Sequence, residues 1–121
     1  MFGGYEVYTH NEKNKIKSDL IELVEKVQEL GAGEIIINSI DNDGMMKGYD
    51  LDLIEKVKNK SNIPMTVLGG AGNLKDIGKA IEKFGIIGCA AGSLFVFKGK
   101  YKAVLINYPS QEKKNLIINN K

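Results

Sequence analysis

The sequence predicts an α/β fold of parallel strands alternating with helices, and three observations carry that prediction. Three short apolar runs, Glu34 to Ile40, Met65 to Leu68 and Ile86 to Ala91, are too continuous to keep one face in water, as in sheets covered on both sides. Segments with helical periodicity alternate with them at short connections, which predicts consecutive right-handed βαβ units. Each run also empties into a loop of polar residues or glycines: Asp41-Asn42-Asp43-Gly44, Gly69-Gly70-Ala71-Gly72 and Ala90-Ala91-Gly92-Ser93.

In chain order, residues 5 to 9 (YEVYT) read as a short extended piece after a Gly3-Gly4 turn. A helix follows from a Ser18 cap to about Leu30, with Leu20, Leu23, Val24, Val27 and Leu30 on one stripe and Gly31 as its stop. The Glu34 to Ile40 strand comes next, then a helix capped by Asp50 that turns Leu53, Ile54 and Val57 inward. Pro64 fits only at a strand start and leads into Met65 to Leu68. Asn73 caps a third helix carrying Leu74, Ile77, Ala80, Ile81 and Phe84, with Asp76 well placed in its first turn and Gly85 at its end. Ile86 to Ala91 is the third strand. Ser93 to Phe97 reads as a helical turn, Ala103 to Asn107 as an extended segment and Gln111 to Ile118 as a weak terminal helix.

A chain of 121 residues with 43% hydrophobic and 26% charged residues is a globular domain, not a disordered one. Its 17 basic and 15 acidic residues are spread over helix faces, which leaves no electrostatic footprint for nucleic acid. The lysines around Lys98 to Lys102 and at Lys113 and Lys114 read as solvated surface. The single cysteine, Cys89, rules out an internal disulfide and suits a reducing cytoplasm. Its small neighbours mark it as a packed strand residue, and only His10 could act as an imidazole partner. Neither a signal peptide nor an apolar run near the roughly 20 residues of a membrane span is visible.

In parallel α/β proteins ligands bind at the C-terminal ends of the strands. Asp41, Asp43, Gly69, Gly70, Ala71, Gly72, Gly92 and Ser93 all fall at that edge. Asp41 and Asp43 point to the same side while the backbone stays extended, and a carboxylate there can serve as general acid or base. Asp-Asn-Asp-Gly is equally good turn chemistry. Ser39, Asp41, Asp43, Gly44 and Asp50 mimic an EF-hand spacing, but the first ligand is wrong, the last is Asp and a strand precedes them, so no metal is expected. No cofactor is expected either. The two glycine segments, each opening a helix, would present N–H groups to an anion such as phosphate.

Taken together, VYTH (7–10), GAGEIIINSID (31–41), D-x-D-G followed by KGYDL (41–51), I-P…GGAG (63–72) and the glycine-serine end with Phe-x-Phe (92–97) resemble the cyclase subunit of imidazole glycerol phosphate synthase, the HisF family. The resemblance implies the C-terminal part of a (β/α)8 TIM barrel, strands six to eight. Residues 1–16 would be the loop after strand five, 17–97 three βα units and 98–121 a C-terminal extension. It further implies an ammonia-dependent cyclase/lyase of histidine biosynthesis whose ammonia comes from a glutaminase subunit and whose substrate is a phosphorylated ribulosyl nucleotide. Asp43 matches the second of the family's two catalytic aspartates. The first, on strand one, has no counterpart. Glu34 matches a charged residue of the ammonia gate, although by its residue type alone it is an ordinary strand-start glutamate.

Asn38, Met45 and Leu68 depart from the family's pattern, where a Thr, a Thr and a small or polar residue are usual. The ending GSLFVFKGKYKAVLINYPS looks more like the HisF-like paralogue (WbuZ type) linked to amidination of surface-polysaccharide sugars, which implies ammonia delivery to a sugar amidotransferase. An inactive fragment is a third reading. With strands one to five missing, two sheet edges are expected to be open, with Ile35, Ile37 and Val67 lining an uncovered inward face. That implies self-association or complementation by a half-barrel partner.

Overall fold

Cap chemistry decides where the helices begin. The Asp19 carboxylate accepts the Ile21 N–H at 2.8 Å and starts α1 (Leu20–Glu29), one residue beyond the Ser18 cap expected from sequence. Both residue types cap well, but a full negative charge at the positive end of a helix is the stronger partner. Asp50 accepts the Leu53 N–H at 2.9 Å and starts α2 (Leu51–Lys58), as the sequence predicts. Asn73 starts α3 (Leu74–Phe84) through a reciprocal box with Asp76, and Gly85 closes it at φ +72°.

The computed structural model describes residues 4–10 and 13–119. Its parallel sheet has the order β3 (Ile35–Asn38), β4 (Met65–Leu68), β5 (Gly88–Cys89), with Ile35 opposite Met65 and Val67 opposite Cys89. The middle strand has the predicted bounds. The outer two are shorter than their apolar runs. The first run leaves the sheet at Ser39 and coils into a 3-10 turn at Ile40–Asn42, and the last pairs through only two residues, Gly88 and Cys89.

Side chains alternate along these strands. Ile35, Met65 and Val67 are buried in one cluster with Val24, Leu53, Ile54, Val57 and Ala80 of the three helices, and Ile37 packs against it. The expectation that Ile35, Ile37 and Val67 line an uncovered face is therefore corrected: the period of two sends them to the helix layer. The opposite parity, Glu34, Ile36, Asn38, Thr66 and Leu68, forms the other face, where Ile36 is 64% exposed.

Before the sheet, β1 (Val7–Thr9) pairs antiparallel with β2 (Asn14–Ile16), Val7 opposite Ile16. The second strand was not expected, since Asn-Lys-Ile offers no alternation. Of the predicted loop 1–16, residues 1–3, with half of the Gly3-Gly4 turn, and 11–12 lie outside the described residues. Tyr5 Oη donates to Asp50 at 2.9 Å and so ties this segment to the α2 cap.

After the sheet, a single turn α4 (Ser93–Val96) runs into an antiparallel ribbon of β6 (Phe97–Lys98) and β7 (Ala103–Val104), and α5 (Gln111–Asn119) follows. α5 lies on α3, where a side chain at Gly78 would meet Ile117 at 3.4 Å. Residues 120–121 of the predicted extension also lie outside the described residues.

Ile54 is 2% exposed at the centre of the cluster, so Ile54→Ala should cost about 2–5 kcal/mol of stability. Leu30→Ala, at a position 78% exposed, should stay within about 0.5 kcal/mol. Urea unfolding followed by circular dichroism reads both.

Candidate functional site

The site begins where β3 ends. The Ser39 N–H donates to Leu68 O at 3.1 Å and closes the ladder, while Ser39 O accepts the N–H groups of Asn42 and Asp43 at 3.1 and 2.9 Å. This turn coils the backbone at Asp41, so the extended alternation that would put Asp41 and Asp43 on one side does not hold. Both carboxylates are exposed. Asp43 accepts a long hydrogen bond, 3.4 Å, from Asn38 Nδ2 on the uncovered sheet face. The Tyr8 phenol is held above its ordinary range chiefly by its hydrogen bond to Glu6, with the charge of Asp41 adding a little to it.

The loop after Asp43 is locked against the glycine turn at the end of β4. Gly48 N–H donates to Gly70 O at 2.8 Å. A side chain at Gly70, which has φ +108°, would stand 2.1 Å from Gly48 O, and one at Gly72 would stand 2.2 Å from Met46 O. No L-residue with a Cβ fits either place, which is why this stretch is Gly-Gly-Ala-Gly. Tyr49, buried, donates its Oη to Ala90 O at 2.8 Å, and burial pushes its phenol pKa upward. Three strand ends are thus joined: Asp43 and its loop, the 69–72 turn, and the 90–93 segment.

The predicted anion cradle has an internal occupant on one side. Asp76 Oδ2 accepts the N–H groups of Gly72 and Asn73 at 2.9 and 3.1 Å, and Asn73 Oδ1 takes those of Lys75 and Asp76. A carboxylate of the chain itself therefore sits where a ligand anion would meet the start of α3. The Asn73-x-x-Asp76 spacing of a capping box was the available signal. At the other turn no side chain caps α4; Gly92 O accepts the Phe95 and Val96 N–H groups, and Ser93, half-buried, is the first helical residue. Gly69 and Ala71 are buried beneath the turn.

Glu34 stands at the opposite end of the uncovered face, where Thr66 Oγ1 donates to it at 2.6 Å. Gly88 makes room for that threonine, since a side chain there would lie 2.1 Å from Thr66 Oγ1. Cys89 is half-buried and burial pushes its thiol up to about 11, the reverse of an activated nucleophile. Among the described residues no helix is long and apolar enough to cross a membrane.

The chain matches the family described as histidine biosynthesis protein over residues 2–102. It is 56% identical over 115 residues to a Vibrio vulnificus protein provisionally named imidazole glycerol phosphate synthase subunit hisF3, covering 94% of this chain and 44% of that protein. It is 51% identical over 113 residues to a Leptospira interrogans protein provisionally named imidazole glycerol phosphate synthase subunit HisF, covering 93% and 44%. With the imidazole glycerol phosphate synthase subunit HisF of Clostridium botulinum it shares 39% identity over 109 residues, covering 90% and 43%. The chain spans less than half the length of the curated relatives it matches.

Gly70→Ala should destabilise the chain by about 1–3 kcal/mol from its positive φ alone, and detach the 43–50 loop, visible as shifted amide resonances at Gly48 and Tyr49. Cys89, with its thiol pushed up to about 11, should react with iodoacetamide at pH 8 roughly a hundredfold more slowly than a solvent-exposed thiol. The rate should rise as the pH approaches 11, because the thiolate is the reacting form.

Proposed function

The chain belongs to the histidine biosynthesis protein family, and from that premise we propose that it supplies strands six to eight of a HisF-like (β/α)8 cyclase subunit. The observation that supports this reading is the junction of three strand ends by the Gly48–Gly70 and Tyr49–Ala90 hydrogen bonds, which holds the loop that follows Asp43 against the 69–72 turn and the 90–93 segment. In this reading residues 1–16 are the loop after strand five, 17–97 the three βα units and 98–121 the extension.

The substrate is a phosphorylated ribulosyl nucleotide. Its terminal phosphate lies against Gly92 and Ser93, with the backbone of Gly69, Gly70 and Ala71 alongside. Gly72 contributes its N–H only if the Asp76 carboxylate gives it up. Asp43, exposed at the mouth and steadied by Asn38, moves protons as general acid and base while ammonia condenses with the substrate carbonyl with loss of water, the imidazole ring closes, and the C–N bond to the departing aminoimidazole carboxamide ribotide breaks. Asp41, exposed on the turn just before it, is a substrate-binding residue in this reading. Nothing in this chemistry calls for a cofactor.

Ammonia enters at the other end of the same sheet face, past Glu34 and Thr66. A glutaminase subunit docks there. Leu30 and Ile86, both at the end where strands begin and both strongly exposed, supply apolar contact for it. The uncovered face with Ile36 is closed by the remaining barrel strands, either from a half-barrel partner or by association of copies. Such biosynthetic chemistry belongs in the cytoplasm.

A second reading, ammonia delivery to a sugar amidotransferase without cyclisation, is favoured by the residues around the carboxylate. Asn38 replaces the usual threonine as the group that touches Asp43, and Met45 stands exposed where a second threonine is usual.

The isolated chain should show no ammonia-dependent cyclisation, because orientation of both reactants, worth about 7–11 kcal/mol where well developed, needs the whole barrel. In a complete barrel containing this segment, Asp43→Asn should lower kcat by about 100-fold or more while KM changes little. Unchanged kcat would reject the cyclase role of Asp43, and ammonia transfer that survives the substitution would support the second reading.

A further inference from the structure

The β6–β7 ribbon and the residues after it, which follow β5 through α4, expose a run of apolar side chains. Val104 is 75% and Ile106 69% exposed, and Leu105, Tyr101 and Tyr108 are exposed as well. The ribbon is held from inside. Leu105 N–H donates to Val96 O and Asn107 N–H to Phe95 O, both at 2.8 Å, and the Tyr108 ring packs 5.1 Å from that of Phe95.

Those bonds fix the direction of the others. In an antiparallel pair successive residues point their N–H and C=O groups alternately to the two sides. Within β7, Val104 lies between the paired Ala103 and the inward-bonded Leu105 and so directs its backbone groups outward; past the strand, Ile106 sits between the inward-bonded Leu105 and Asn107, which leaves its N–H for the same outer side. Among the described residues no strand pairs with that side, since the sheet contains β6 and β7 alone. The result is an open edge whose side chains are valine, leucine and isoleucine.

Charge selects among possible occupants. Between Phe97 and Tyr108 the chain carries Lys98, Lys100 and Lys102 and no acidic residue. The whole chain has 17 basic and 15 acidic residues, so outside this ribbon acidic residues outnumber basic ones. A second copy would bring its own lysines to the same edge. A lipid surface would cover the apolar side chains yet leave the outward N–H and C=O groups of Val104 and Ile106 without partners, which is costly in an apolar medium. A strand of an acidic protein satisfies the backbone, the apolar side chains and the lysines together.

We propose that the outer edge of β7 and its continuation, residues 103–107, receives an extended segment of an acidic partner protein by strand addition. The surface lies at the C-terminal end of the sheet strands, opposite Glu34, and the inference does not depend on the cyclase reading.

The test uses the whole chain, labelled with nitrogen-15, and a synthetic hexapeptide of alternating glutamate and valine. The acidic peptide should slow hydrogen exchange at the Val104 and Ile106 amides by about tenfold or more, with little change at the already bonded Leu105 and Asn107. The same peptide with lysine for glutamate should not. Ile106→Pro removes an outward N–H and keeps both inward bonds, so it should abolish the protection while the remaining spectrum persists. Lys98→Glu with Lys100→Glu, at the exposed end of β6 and in the turn after it, should reverse the preference between the two peptides. Three results would overturn the proposal: no protection by the acidic peptide, equal protection by the basic one, or protection that appears without peptide and grows with chain concentration. Binding to vesicles rich in anionic lipid that covers Tyr101 and Val104 would assign the surface to lipid instead, and would also overturn it.

Discussion

A parallel strand is apolar on both sides and wants cover on both, and this sheet has its helices on one. The β3–β4 register divides every residue of the sheet between these two environments. One parity packs Ile35, Met65 and Val67 into the helix layer. The other lines up Glu34, Ile36 and Asn38 beside Thr66 and Leu68. Four residue steps of extended chain separate Glu34 from Asn38, roughly 13 Å. A carboxylate near which ammonia would enter and a carboxylate that would use it thus stand at opposite ends of one uncovered surface. That span adds to the strand-end junction the two ends between which the proposed ammonia path would run.

The far end of this surface is shaped by backbone contact. Gly70 against Gly48 and Gly72 against Met46 bring two loops so close that no side chain fits between them. Tyr49 then fastens the pair to Ala90. The arrangement spends its amides with restraint: those of Gly72 and Asn73 are engaged by Asp76, so the start of α3 carries its own counter-charge. In the proposed reading a phosphate at this edge would rely first on the Gly92–Ser93 turn.

Much of this was legible in the residues. Continuous apolar runs announced β3, β4 and β5, and the Asp50 and Asn73 caps with the Gly85 stop located α2 and α3, because cap and stop residues act locally. Strand ends were less legible. Whether Ser39 and Ile40 continue β3 depends on the partner strand, and Leu68 is the last residue with a carbonyl to offer Ser39. The same turn undid the pairing of Asp41 with Asp43 on one side, since alternation rules stop where the strand does. The choice of face for Ile35, Ile37 and Val67 could not be made from apolar character, because both parities of the run 35–37 are isoleucine. Strand β2 carries no pattern of its own and exists through its pairing with β1.

Sedimentation velocity over a range of concentrations, comparing the chain with its Ile36→Asp variant, tests the central claim that the uncovered sheet face is an assembly surface. The account predicts that at tens of micromolar, roughly the range where exposed apolar surface drives association, the chain sediments as a larger species and the variant, with a charge in the middle of that face, as a monomer. A cooperatively folded monomer at the same concentrations, with Ile36 still in water, would contradict it.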